Sequence, residues 1–522
     1  MKKVLLGGLC FLLAAGVIIY RTQKSSTEGT SKFLEISFYR ELASLDPGLA
    51  HNYPGSIVVK MSHEGLMRRG FNGSLVPGVA ESYEVSPDQK TYTFHLRPSM
   101  WSNGDPVTAY DFEYAWKRVV NPALPTTGTL NFYPIKNVEA VVKNEKGLDA
   151  VGVRAVDERT LVVELEYPAP YFLESTSCAS YAPVHRSVEG VSNGPFAVKE
   201  WQEGHSLTLV KNPYYWDAGQ VHLPGIHVQM IVDSMTNLLL FKKGNLDWLG
   251  KPISGIPFEA IPTMQKEKKL HRVSGVGVLW YFLNTEVFPF HNKKVRQAFA
   301  YAINRKELAE HLFLEGETPA MSILPGSLCV SKKPYFADGD LKRARQLFAE
   351  ALQEMGKKPE DFSNIVLSCP KDSMHESVAQ VVQRQWSQAF GVKIRIATQD
   401  WKILHEKLTC GDYQIGAMGW LPFVQDPIYM LKTFKYRADG INKTRWQNPR
   451  YIELLDASDD ELDPEKRKEI FRQAETLLME EMPVIPISFM TNGYAKNPHL
   501  LNVCVSEFGD IDFKWAYFDD QK

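Results

Sequence analysis

Residues 64–122 read EGLMRRGFNGSLVPGVAESYEVSPDQKTYTFHLRPSMWSNGDPVTAYDFEYAWKRVVNP. Within this stretch TYTFHLR, residues 91–97, alternates apolar with polar positions and predicts a half-buried strand. Asn103-Gly104 then marks a turn. Thr108 stands at a helix N-cap, and Asp111 three residues later completes a capping-box pattern. Phe112, Ala115, Trp116 and Val119 follow on one helical face. Trp101, Asn103, Gly104 and Thr108 therefore read as turn, packing anchor and cap, with no ligand role assigned to them.

Outward from there, strands are expected at FLEISFYR (33–40), TLVVELE (160–166), SLTLV (206–210) and IHVQMIV (226–232). FLESTSCASYAP (172–183) reads as loop and short helix, and NLLLFKKG (237–244) as an apolar helix. The second half is more helical. Residues 289–313 carry Val295, Ala298, Phe299, Ala302 and Ile303 on one stripe, and residues 340–356 carry Leu341, Ala344, Leu347, Phe348 and Ala351 on another. Residues 374–400 give a helix, a Gly391 stop and a strand, a step of the kind that builds a mostly parallel sheet. A last long helix at 464–482 leads into MPVIPISFM. No internal repeat is present, which removes solenoids and propellers.

At 522 residues the chain holds two to four domains' worth of core. Lysine plus arginine (59) nearly balances aspartate plus glutamate (61), which argues against a nucleic-acid partner. Lys2 and Lys3 precede VLLGGLCFLLAAGVIIY, an unbroken apolar run at 4–20. That is the pattern of an export signal, long enough to stay as an uncleaved anchor, and Cys10 lacks the small residue expected before a lipidated cysteine. Residues 22–31 read as a tether, so 1–31 is expected to be signal or anchor plus tether, with the rest outside the cytoplasm. Five further cysteines (Cys178, Cys329, Cys369, Cys410, Cys504) form no CxxC pair, and their odd number leaves at least one thiol free.

Catalytic patterns fail one by one. Three His-Glu dipeptides lack the second histidine of a zincin, and no phosphate-cradling glycine loop is present. GVSNG (190–194) has the form G-x-S-x-G, but Pro195 and a strand-like FAVKEW follow where a nucleophile elbow needs a helix. No metal or cofactor is expected. An aromatic-rich, exported, many-cored chain without a catalytic constellation is a binder by elimination, and a hydrolase is the weakest reading.

The 64–122 stretch closely resembles the corresponding region of bacterial extracytoplasmic solute-binding proteins of family 5, the oligopeptide- and dipeptide-binding components of peptide ABC transporters. Further matches follow in family order: SLDP at 44–47, NGPF at 193–196, KNPYYWD at 211–217, LNTEVFPFHNKKVRQAFAYAINR at 283–305, GW…DP at 419–427 and MPVIPI at 482–487. Together they span nearly the whole chain after the tether. The resemblance implies an α/β, two-lobed periplasmic-binding-protein fold (type II, cluster C-like) with a ligand cleft between the lobes. One lobe would be discontinuous, 32–270 plus 485–522, and the other 271–484. The protein would work as a monomer, close on a peptide or peptide-like ligand, and dock on an ABC transporter permease.

The family holds its peptide largely by main-chain hydrogen bonds to strand-like segments, an edge-pairing mode. The matching positions here are Glu41-Leu42 and Met418-Gly419-Trp420. Peptide binders of the family usually anchor the ligand's α-amino group on the aspartate of G-W-x-x-D, and Phe423 occupies that position here. A buried ammonium needs an opposite charge or full hydrogen bonding, so the usual clamp is expected to be missing. Position 417, arginine in some oligopeptide binders, is Ala417. His375 matches a histidine near the peptide in some members, with Lys371 on the same loop. The missing acid turns attention to ligands with a blocked or displaced amino group, such as a γ-linked peptide like glutathione or a modified peptide. A tethered sensory binder is the alternative from another class.

Overall fold

The Thr91–Leu96 strand is central in a four-stranded antiparallel sheet, between Ala80–Val85 and Thr160–Glu164. Its alternation decides this: Tyr92, Phe94 and Leu96 are buried, and they share a core with Phe112, Ala115, Trp116 and Val119 of the Ala109–Val119 helix. The helix start is pinned as the spacing predicts, with the Thr108 N–H donating to Asp111 Oδ2 at 2.8 Å. The structure is a computed structural model that describes residues 32–50, 54–124, 126–422, 424–438 and 440–519. The signal or anchor run, Cys10 and the tether lie outside the described residues. Among the described residues no helix is long and apolar enough to cross a membrane.

A second four-stranded sheet sets Leu34–Phe38 parallel to Gly225–Met230, followed by Ser206–Lys211 and Phe196–Gln202. Leu34, Ile36 and Phe38 share its core with Leu500, Ile511 and Phe513, so the two ends of the chain pack together. The strand after GVSNG confirms that this segment is no nucleophile elbow: Ser192 is buried and its N–H donates to Ser102 Oγ at 3.0 Å.

The seven-stranded third sheet runs Trp248–Gly250, Val484–Lys496, His271–Leu283, Ile415–Trp420, Ile365–Pro370 and Ile394–Gln399, with Thr318–Pro319 beside Val484–Lys496. Here the expectation of a mostly parallel sheet is corrected. Only Ile365–Pro370 pairs parallel with its neighbours, and the other ladders are antiparallel. The reason is topological. One 13-residue strand, His271–Leu283, carries the chain toward a large core built on 276–487, and a second, Val484–Lys496, carries it back. An outgoing and a returning strand can lie side by side only in opposite directions.

The helical stripe of 289–313 divides into Lys293–Tyr301 and Arg305–His311. The break is stabilised because the new N-terminus finds acceptors: Asn304 takes the Glu307 N–H at 3.1 Å, and Asp338 takes those of Arg305 and Lys306. Cys329, Cys369, Cys410 and Cys504 are free thiols.

One buried carboxyl in the large core responds to pH. Glu475, fully buried on the Pro464–Glu481 helix, accepts the Ile323 and Leu324 N–H groups at 3.0 and 3.1 Å and the Tyr335 hydroxyl at 2.8 Å. Burial pushes its carboxyl up to about 7, against the pull of these donors. An acid raised on folding holds an extra proton in the native state, so stability falls as pH rises from the unfolded value of 4.5 toward about 7. Glu475→Gln is expected to gain urea midpoint relative to wild type between about pH 5 and about pH 8. A pH-independent difference would contradict this.

Candidate ligand-binding site

The Ile415–Trp420 strand has an unequal pair of neighbours. Its ladder with His271–Leu283 runs the full length, from Leu283↔Ile415 to Val278↔Trp420. Its ladder with Ile365–Pro370 stops after Leu367↔Ile415 and Ser368↔Gly416. Among the described residues, 417–420 therefore have a strand on one side only. Alternate residues of an antiparallel strand turn their N–H and C=O groups to opposite edges, so this stretch presents main-chain donors and acceptors on its open side.

The side chains around that edge are apolar and fitted. Trp420 is half-buried and stacks on Trp280, ring centroids 6.0 Å apart at 25°. Both indole N–H groups are buried without a hydrogen-bond partner among the described residues. Met418 and Ala417 are buried in the large core, so position 417 faces packing here. A Cβ on Gly419 would lie 2.6 Å from Met490 Cε, and one on Gly277 would lie 2.5 Å from Met490 Sδ. The two glycines make room for Met490, which reaches across from the returning strand.

His375 belongs to the same sheet edge. Ile365–Pro370, Ile394–Gln399 and Ile415–Trp420 run parallel, so the loops after them share one end of the sheet, the end where open α/β sheets place their ligands. His375 lies in the first turn of the Ser373–Phe390 helix and its Nδ1 is 2.7 Å from Asp372 Oδ2. Asp372 also caps that helix by accepting the His375 N–H at 2.9 Å. The ring is thus oriented by its own N-cap. Lys371 is exposed beside it. Glu41 and Leu42 follow the Leu34–Phe38 strand on another core: Leu42 is buried there and Glu41 is exposed. Phe423 lies outside the described residues, so its role rests on the sequence.

The Asp-Pro end of the GW…DP segment is anchored. Asp426 is buried, caps the Pro427–Leu431 helix through the Ile428 N–H at 2.9 Å, and forms a two-point ion pair with Arg467. It holds the turn from behind and is spent in doing so. Just before it, the Gln425 N–H donates to Glu174 Oε2 at 2.7 Å, a contact from the 172–175 helix of the first core. Glu174, Trp280 and Met490 carry no sequence pattern that marks them. Each becomes a neighbour of the site only through packing.

A family model described as bacterial extracellular solute-binding proteins, family 5, middle, matches residues 74–442. The chain belongs to this family. The oligopeptide-binding protein OppA of Bacillus subtilis is 38% identical over 93% of this chain and 92% of its own length. The dipeptide-binding protein DppE of the same organism is 32% identical over 94% and 93%. Among solved structures, Haemophilus influenzae OppA in complex with RPPGFSPFR superposes with a TM-score of 0.81 at 25% identity, covering 93% of this chain and 99% of that one. The fold of this solute-binding protein is accordingly the two-lobed periplasmic-binding-protein fold with its cleft between the lobes.

Removing one partner of the buried Asp426–Arg467 pair strands the other. Asp426→Ala is expected to cost about 3–5 kcal/mol in chemical denaturation, whereas Asp460→Ala, on a neighbouring exposed position, should stay within about 0.5 kcal/mol.

Proposed function

We propose that this solute-binding protein captures an extended peptide by closing its two lobes and delivers it to an ABC transporter permease, outside the cytoplasmic membrane. The observation that carries the reading is the open edge at 417–420, where the strand has left its ladder with Ile365–Pro370. A peptide laid there would complete the ladder with main-chain bonds. The names of the OppA and DppE relatives agree with a peptide cargo. The lobes would be 32–270 plus 485–522 and 271–484. The burial of Ile485 and Ile487 in the large core supports a second crossing a few residues later, near 488–494. Residues 1–31 would direct export and either be cut or remain as an anchor.

Within this reading, Glu41-Leu42, His375 and the 418–420 segment contact the ligand, and Phe423 leaves its α-amino group without a carboxylate. Calorimetry on the full chain with defined two- to five-residue peptides and their N-acetylated forms tests both claims. Saturable binding is expected, with acetylation changing affinity by no more than about threefold. A carboxylate clamp would instead impose a loss of about 3–5 kcal/mol, a hundredfold or more. Absence of binding by every peptide would overturn the cargo. Trp420→Ala is expected to weaken binding about tenfold or more, as loss of a central aromatic anchor does.

A further inference from the structure

The contact between Glu174 and Gln425 joins the two bodies that must close on the ligand, and its surroundings are built to hold it. Glu174 uses both carboxylate oxygens: Oε1 pairs with Arg69, and Oε2 accepts the Gln425 N–H at 2.7 Å. Arg69 is itself held, its guanidinium 4.2 Å from the centroid of the Phe508 ring, and Phe508 is buried in the large core. On the far side, the amide belongs to a turn fixed by the Asp426–Arg467 pair and the Ile428 cap. The amide half is fixed within its own body, while Arg69 beside Glu174 rests on a residue of the large core.

Neighbouring groups bridge the same seam. Lys432 Nζ lies 3.3 Å from the Tyr167 hydroxyl and 4.6 Å from its ring centroid, and Tyr171 packs against both the first and the large core. Among these bridges only the Glu174 contact grips the segment that carries Trp420. A carboxylate accepting a backbone N–H is a charge-assisted bond, stronger than a neutral one. Arg69 balances the charge, so closing the lobes buries no net charge at this point.

We propose that Glu174 is a positioning residue that latches the closed lobes through the Gln425 amide. It would hold the 417–420 edge over the cleft with the protein's own carboxylate. The latch rests on the proposed closure over that edge, and predicts that the free protein already populates the latched form.

Amide hydrogen exchange on the ligand-free full chain tests it. In Glu174→Ala the Gln425 amide is expected to exchange about tenfold faster than in wild type, while the Ile428 amide, held by Asp426, is unchanged. Glu174→Gln, which keeps an acceptor without charge, should fall between them. Equal exchange at Gln425 in wild type and Glu174→Ala overturns the latch, and so does parallel loosening of Gln425 and Ile428, which would mark a merely structural role. With the nonapeptide RPPGFSPFR as probe, Glu174→Ala should raise the dissociation rate about tenfold and leave the association rate within about twofold. If wild type does not bind this probe, the cargo reading is weakened, and the exchange result alone still decides the latch.

Discussion

Two long strands pairing side by side in opposite directions hold this molecule together. His271–Leu283 and Val484–Lys496 form a ladder from Phe282↔Val484 to His271↔Tyr494, and its register slips between Ser274 and Val278. Gly275 and Gly277 lie at that slip. At one end the pair is embedded in the large core. At the other, Val484–Lys496 passes its edge to Trp248–Gly250 near the second sheet. A ladder interrupted in its middle can connect two packed bodies while letting one turn on the other.

The same pair decides where the open strand edge lies. Ile415–Trp420 pairs along His271–Leu283 to its last residue, so the outgoing strand fixes the height of Trp420 and supplies Trp280 beneath it. Ile365–Pro370 pairs parallel on the other flank and its ladder ends at Gly416, which leaves the final four residues with one neighbour. Charge is kept out of this surface and placed around it. Asp426 is paired with Arg467, Glu174 with Arg69, and Asp372 holds His375. Asp426 and Glu174 are each neutralised by an arginine, so the wall between them can stay apolar without stranding a buried charge.

Much of the fold was legible because it follows from local periodicity. The strand at 91–97, the capping box at Thr108 and Asp111, and the Gly391 stop all came from spacing rules that operate within a few residues. The helix break at Ala302–Asn304 escaped notice because Asp338, more than thirty residues away, supplies the acceptors that make it stable. The sheet was misread as mostly parallel because one βα step sets the direction of its own strands alone. Of the proposed site, Met418, Gly419 and Trp420 come from a resemblance in pattern, and the structure places His375 at their end of the sheet.

By itself, then, the sequence determined the elements, their amphipathic faces and the family, since each of these depends on residue type and spacing. Tertiary structure alone decided that the 417–420 edge is open, that Met490 fills the space left by Gly277 and Gly419, that Asp426 is consumed by Arg467, and that Glu174 reaches the Gln425 amide. The physical reason is separation along the chain. Glu174 and Gln425 are 251 positions apart, and a contact between such residues depends on how the two cores are packed and joined, which no local pattern records.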